Sequence, residues 1–210
     1  MSDLVRDHVL AEALPEIPQT GFSQETLATA GSKAGISRRE LNDAFPNGPA
    51  DLVEAFSHWA DRMMADQLAT SPEESHLRDR IAAAVRARIC VLNPHKEAAR
   101  RAAAFLALPH NAPLGAKLMM RSVDAMWRAA GDRSSDFSWY TKRALLAGVY
   151  GTTFAYWLTD SSEGNSDTWT FLGHRIDDVM RLEKFRSSAM KAVEQLPDPF
   201  GLLKSLRDRA

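Results

Sequence analysis

Apolar residues return every three or four positions through almost the whole chain, and no segment alternates apolar with polar residues for long enough to read as a strand. That period places the apolar side chains of a segment on one face of a helix, whereas a half-buried strand needs a period of two. The chain is therefore expected to be all-α. Proline and glycine divide it, because neither continues a helix cheaply. In the first 66 residues the pieces are short: helices are expected at 4–14, 24–30 and 38–45, separated by PEIPQTGFS, AGIS and PNGPA. Ser23 with Thr26, and Ser37 with Glu40 three residues on, read as N-caps, the second with the spacing of a capping box. Beyond Asp51 the helices lengthen, to 51–69, 76–92, 96–108, 114–130, 138–159, 167–185 and 187–196.

This pattern suggests a three-helix unit over 1–50, a larger helical bundle over 51–196 and a terminal segment over 197–210. A chain of 210 residues with 45% hydrophobic content can bury one substantial core, two at most. The longest uncharged stretch near the middle, residues 144–159, falls short of the roughly 20 apolar residues that span a bilayer and is expected to be a deeply buried core helix. The amino-terminal stretch MSDLVRDHVLAEAL mixes acids and bases and has neither a signal peptide's apolar run nor a transit peptide's lack of acids. It suggests a bacterial cytoplasmic protein or a processed one. The single cysteine, Cys90, lies in the apolar run IAAAVRARICVL and is expected to be a small buried hydrophobe.

Residues 21–52, GFSQETLATAGSKAGISRRELNDAFPNGPADL, resemble the helix-turn-helix of TetR-type regulators in spacing. A DNA-reading helix presents basic and polar side chains to the groove and is flanked by groups that hold phosphates. Here Asn42 stands where an aromatic is usual, Asp43 and Ala44 follow, and Gly48 and Pro49 replace a basic cap. Residues 1–66 carry five Lys or Arg against eleven Asp or Glu, a net charge of −6, while the rest carries +5. Because phosphate neutralisation dominates affinity for DNA, such a head is repelled rather than recruited. Nucleic-acid binding is not expected.

The stretch from Leu108 to Met180 holds LPHNAP, then VDAMWRAAGDRSSDFSWYTKRALLAGVYGTTFAYWLTDSS, then DTWTFLGHRIDDVM. This series closely resembles the ubiquinone-biosynthesis accessory lipid-binding family, also called the RpsU-divergently transcribed family, over about a third of the chain. The resemblance implies a TetR-like fold and a non-catalytic protein that binds an isoprenoid quinone intermediate or phospholipid. It also implies a di-iron demethoxyubiquinone hydroxylase as partner, to which that lipid is presented at the membrane. It further implies that Asp136, Trp139 and Tyr140 contact the hydroxylase and that Arg143 stands at the mouth of a lipid slot, where its planar guanidinium suits a phosphate.

The residues themselves fit that role without requiring it. In the helix from Ser138, Leu146, Val149, Tyr150, Thr153, Phe154 and Trp157 form one apolar stripe. In the preceding helix Leu114, Leu118, Met119, Val123, Met126 and Trp127 form another. Two such faces pack as a filled core or enclose a slot. With the resemblance, Leu118, Val123, Trp127, Leu146, Tyr150 and Phe154 become the expected lipid-binding residues. At the end of the chain, Phe200, Leu203 and Leu206 alternate with Lys204, Arg207 and Arg209 after Pro197 and Pro199. This is the composition of a short basic amphipathic helix that lies in a membrane interface. Of these, Phe200, Leu203, Lys204, Leu206 and Arg207 are the expected membrane-associating residues, which places the protein on the bacterial inner membrane or the matrix side of a mitochondrial one. A homodimer through the long C-terminal helices is expected.

Catalysis by the chain itself is not expected. There is no HExxH, GxSxG, GxGxxG or P-loop. A di-iron bundle needs paired Glu-x-x-His motifs, and only Glu73 and His76 have that spacing. His174 with Asp177 and Asp178 offers one helix face and no second set of ligands. No cofactor or metal is expected beyond a bound lipid or quinone intermediate. The other function class compatible with this layout is a ligand-responsive repressor of the TetR type.

Overall fold

A computed structural model describes the backbone of residues 2–71, 74, 76–131 and 138–194, and the side chains of 3–71, 74, 76–131 and 140–181. Ten α-helices make up the described chain, with three short 3-10 turns between them and no strands among the described residues. They are α1 (Ser2–Ala13), α2 (Ile17–Thr20), α3 (Gln24–Lys33), α4 (Arg38–Ala44), α5 (Pro49–Ala69), α6 (Leu77–Leu92), α7 (Lys96–Leu106), α8 (Ala112–Ala129), α9 (Ser138–Thr159) and α10 (Ser166–Glu194).

The amino-terminal unit closes on itself through its turns. Ser23 caps α3 by accepting from the Thr26 amide at 3.1 Å. Ser37 and Glu40 form the complete capping box of α4. The segment PEIPQT, expected as a break, contains the single-turn α2, because Pro18 is pre-set for a first helical turn. Gly21, at φ 68°, then ends it. Helix α1 packs across α3 and α4, and Arg6 joins the unit to α5: its Nε donates to the Ala44 carbonyl at 2.8 Å, and its guanidinium lies over Phe45 and 3.7 Å from Asp51.

Helix α5 packs against α6 and α8, α8 against α9, and α9 against α10. One hydrophobic core runs from Val9 and Leu10 through Leu52, Met64 and Ile89 to Met126, Trp157 and Leu172. The last long helix is continuous across residues 185–187, where a break is expected from sequence; two serines do not stop a helix as proline does. Helix α9 is not deeply buried all round. Its apolar stripe Leu146, Val149, Tyr150 and Trp157 is buried, while Ala144, Gly148, Thr152 and Ala155 form an exposed row. Small uncharged residues look like core in a hydropathy profile whichever way they face. Cys90 is exposed rather than buried, because α6 buries the phase defined by Ile81, Ala84, Val85, Arg88, Ile89 and Leu92. No described helix is long and apolar enough to cross a membrane.

Candidate functional site: an apolar slot and a polar-floored cavity

Four helices converge on an apolar slot of about 210 Å³. Helix α6 supplies Leu77 and Ile81, α8 supplies Trp127, α9 supplies Leu145, Leu146 and Val149, and α10 supplies Ile176, Val179 and Met180. Leu77 and Met180 stand at the exposed edge. Arg78 and Lys142 complete the lining. Arg78 pairs with Asp177, linking α6 to α10 across the slot, and the Lys142 ammonium lies 5.7 Å from the centre of the Trp127 ring. Trp127 is fixed in turn by its indole N–H, which donates to the Lys142 carbonyl at 3.3 Å. An apolar space with cations at its edge suits an amphiphile, since methylene groups gain from leaving water and a headgroup gains from the nearby charge.

The residues expected to bind lipid do not all meet here. Trp127 and Leu146 line the slot. Leu118, Tyr150 and Phe154 line a separate cavity of about 110 Å³ between α5, α6, α7, α8 and α9. Val123 is fully buried in the core. Arg143 is buried, and its Nε and Nη2 donate to Asp124 Oδ1 at 2.8 and 2.6 Å; the other Asp124 oxygen accepts from Arg128 at 2.8 Å. Tyr140 is among the most exposed large side chains, at 68%. Asp136, the side chain of Trp139, and Phe200, Leu203, Lys204, Leu206 and Arg207 lie outside the described residues.

The second cavity has a floor that the sequence reading missed. Arg88, expected as part of an apolar helix, is buried there. Its Nε donates to Asp61 Oδ1 at 2.7 Å, Nη1 donates to the Tyr150 hydroxyl, and Nη2 donates to Ser57 Oγ at 3.1 Å and Ser122 Oγ at 3.0 Å. The Ser122 hydroxyl in turn donates to Asp61 Oδ2 at 3.2 Å. Burial pushes the Arg88 guanidinium down, but Tyr150 and Asp61 more than offset this and hold it charged. Burial pushes the Tyr150 hydroxyl up against the pull of Arg88, so it keeps its proton. The available signal was phase: Arg88 falls on the same face as Ala84 and Leu92, where a charge needs a buried partner.

Past the C-terminal end of α9, Asp160 ties that helix to the start of α10. It accepts from the Ser162 amide at 2.8 Å, the Thr168 amide at 3.0 Å and the Thr168 hydroxyl at 2.5 Å. Burial raises its carboxyl, but the hydrogen bonds from Thr168 and Ser162 together outweigh that and hold it well below the usual carboxylate range. Among the described residues, no group of three His, Cys, Asp or Glu is placed to hold a metal ion.

The architecture is that of the TetR-like all-helical class. The crystal structure of a TetR transcriptional regulator from Nitrosomonas europaea superposes with a TM-score of 0.64 over 82% of this chain and 95% of that one, at 21% identity. The COQ9 family model matches residues 112–183, which include α8, α9 and the slot face of α10. The mitochondrial ubiquinone biosynthesis protein COQ9 of Bos taurus is 32% identical over 96% of this chain and 67% of its own length. The Homo sapiens protein is 31% identical over the same shares, and that of Xenopus tropicalis is 35% identical over 85% of this chain and 58% of its own. The chain belongs to the COQ9 family of ubiquinone biosynthesis proteins.

Proposed function

We propose that the chain is a non-catalytic, lipid-binding accessory protein of ubiquinone biosynthesis. In this reading it holds an isoprenoid quinone intermediate or a phospholipid and presents substrate to a di-iron hydroxylase at the membrane. The observation that carries the reading is the slot between α6, α8, α9 and α10, apolar along its walls and edged by Arg78 and Lys142, and built largely from the stretch that matches the family. The chemistry belongs to the partner. Asp136, Trp139 and Tyr140 form the partner patch, with Tyr140 exposed as a docking residue must be. Residues 197–210 supply the membrane contact, and the exposed row of Ala144, Gly148, Thr152 and Ala155 on α9 supports a homodimer through the long helices. The protein then works peripherally on the bacterial inner membrane, or on the matrix side where its relatives are mitochondrial.

Native mass spectrometry of the purified protein, followed by organic extraction, tests the central claim. A stoichiometric quinone intermediate or phospholipid is expected, and Val149→Trp, which fills the slot, removes it. An empty wild-type protein that ignores anionic liposomes and shifts duplex DNA with a steep salt dependence overturns the proposal in favour of a repressor. The charge of −6 on residues 1–66 argues against that outcome.

A further inference from the structure

Between α1, α5 and α8 lies an open groove of about 610 Å³ that shares no lining residue with the slot or the polar-floored cavity. Alanines of α5 and α8 line it, together with Arg6, Arg62, Arg121 and Arg128. Two of these arginines are committed elsewhere: Arg6 to the Ala44 carbonyl and Asp51, and Arg62 to Asp7. The other two, on one face of α8 with Ala125 between them, are second partners of carboxylates that already hold a cation. Arg121 stands 3.3 Å from Glu54, which accepts from Lys117 at 2.9 Å; Arg128 stands 2.8 Å from Asp124, which accepts from Arg143 at 2.6 Å. Either guanidinium can therefore turn into the groove without stranding a carboxylate. Their side chains are 45% and 67% exposed, and exposed pairs restrain little. A buried nitrogen gains from the exchange at Arg121. His58 Nε2 has no hydrogen-bond partner among the described residues and lies 3.9 Å from the Glu54 oxygen that Arg121 would leave, so a closing of about 1 Å gives it an acceptor. Of the acids in the lining, Asp61 is balanced by Arg88, which leaves Asp3 against two spare guanidiniums.

We propose that this groove binds a soluble phosphate monoester with a small apolar substituent, its phosphate held by Arg121 and Arg128 and its substituent lying on the alanines. A guanidinium presents parallel N–H donors that match two phosphate oxygens. A phosphate monoester carries close to two negative charges at neutral pH, which two spare guanidiniums balance and a single carboxylate would not. An open groove lined by alanines shelters a ring or a short chain but not an acyl tail. The site is independent of whatever occupies the slot, so an empty slot leaves it standing.

The test is isothermal titration of the full-length protein with phenyl phosphate and with phenyl sulfate, which has the same shape but a single charge, at neutral pH and low salt. Wild-type protein is expected to prefer phenyl phosphate. Arg121→Gln and Arg128→Gln are each expected to weaken it by about 10-fold or more, the worth of one hydrogen bond to a charged group. Arg38→Gln, which removes the same charge from the exposed face of α4, is expected to leave it unchanged. The proposal is overturned if phenyl phosphate does not bind, if phenyl sulfate binds as tightly, or if Arg38→Gln weakens binding as much as the two groove variants. All three arginines are exposed, so folding is not at risk in these variants. Dihexanoyl phosphatidic acid separates the two sources of such a phosphate. Failure to displace phenyl phosphate supports a soluble ester, whereas displacement at an equal or lower concentration assigns the groove to a lipid headgroup and overturns the proposal.

Discussion

Helices α1–α4 and helices α5–α10 treat their polar groups in opposite ways. In the amino-terminal unit they close local turns: Thr26 bonds Ser23, Thr20 and the Gly21 carbonyl, Ser37 and Glu40 cap each other, and Lys33 pairs with Glu16 at the surface. Each is the residue that the turn chemistry asks for. In the body, Asp61, Arg88, Ser122 and Thr153 are buried among apolar neighbours, and Asp124 bridges two arginines from different helices. The first unit obeys local folding rules; the second breaks them beside its cavities. Departures of that kind concentrate where a protein does something other than fold. The TetR-like head thus uses its polar groups on its own turns, whereas the body buries several of its own beside the two cavities.

The sharpest way to break this contrast is Asp61→Ala, which strands the buried Arg88. It is expected to cost about 3–5 kcal/mol in urea unfolding, with most of the loss recovered in the double variant Asp61→Ala/Arg88→Met. A cost below about 1 kcal/mol would mean that the network is not held as described. In the amino-terminal unit the large effects come instead from plain packing. Leu27→Ala, at a position only 2% exposed, is expected to cost about 2–5 kcal/mol, with no polar replacement able to rescue it. Smaller still is Ser37→Ala, which removes the capping box of α4 for about 1 kcal/mol. Its companion observable is local helix fraying with the slot unaffected.

The smallest effect lies in acid. The Asp160 carboxyl is held below its unfolded value by Ser162 and Thr168, so its contribution is complete above the unfolded pKa of about 4 and is lost as the pH falls through and below that value. Asp160→Asn is expected to flatten the acid limb of a stability-versus-pH curve, leaving the neutral region nearly level. An unaltered limb would show that the carboxyl is not held as the hydrogen bonds indicate.

Much of this organisation was legible in the sequence because it is local. Helix periods, the Ser23 and Ser37 caps, and the apolar stripes that contain Trp127 and Leu146 follow from spacing, whereas the expectation of a slot between those stripes came from the family resemblance. The rest depends on phase and on partners distant in the chain. Arg88 is satisfied by Asp61, 27 residues before it, and by Tyr150, 62 residues after it, and no spacing rule couples those positions. The division of the expected lipid residues between two cavities was hidden because Leu146 and Tyr150, one turn apart on α9, face different neighbours once α6 and α10 are in place. The exposed row of α9 and the exposed Cys90 escaped for the reverse reason: small apolar residues carry no mark of direction.

The fastening of α10 has one further consequence. Its first turns are tied by the buried Thr168 to Asp160, and by the Trp169 indole, which donates to the Gly164 carbonyl at 2.8 Å. Along the slot it is latched by the Arg78–Asp177 pair, whose partners are 47% and 40% exposed. Surface pairs of this kind restrain little. Amide hydrogen exchange along α10 is therefore expected to form a gradient, slow near 168–172 and faster near 176–180, so that the slot wall loosens while the rest of the bundle stays folded.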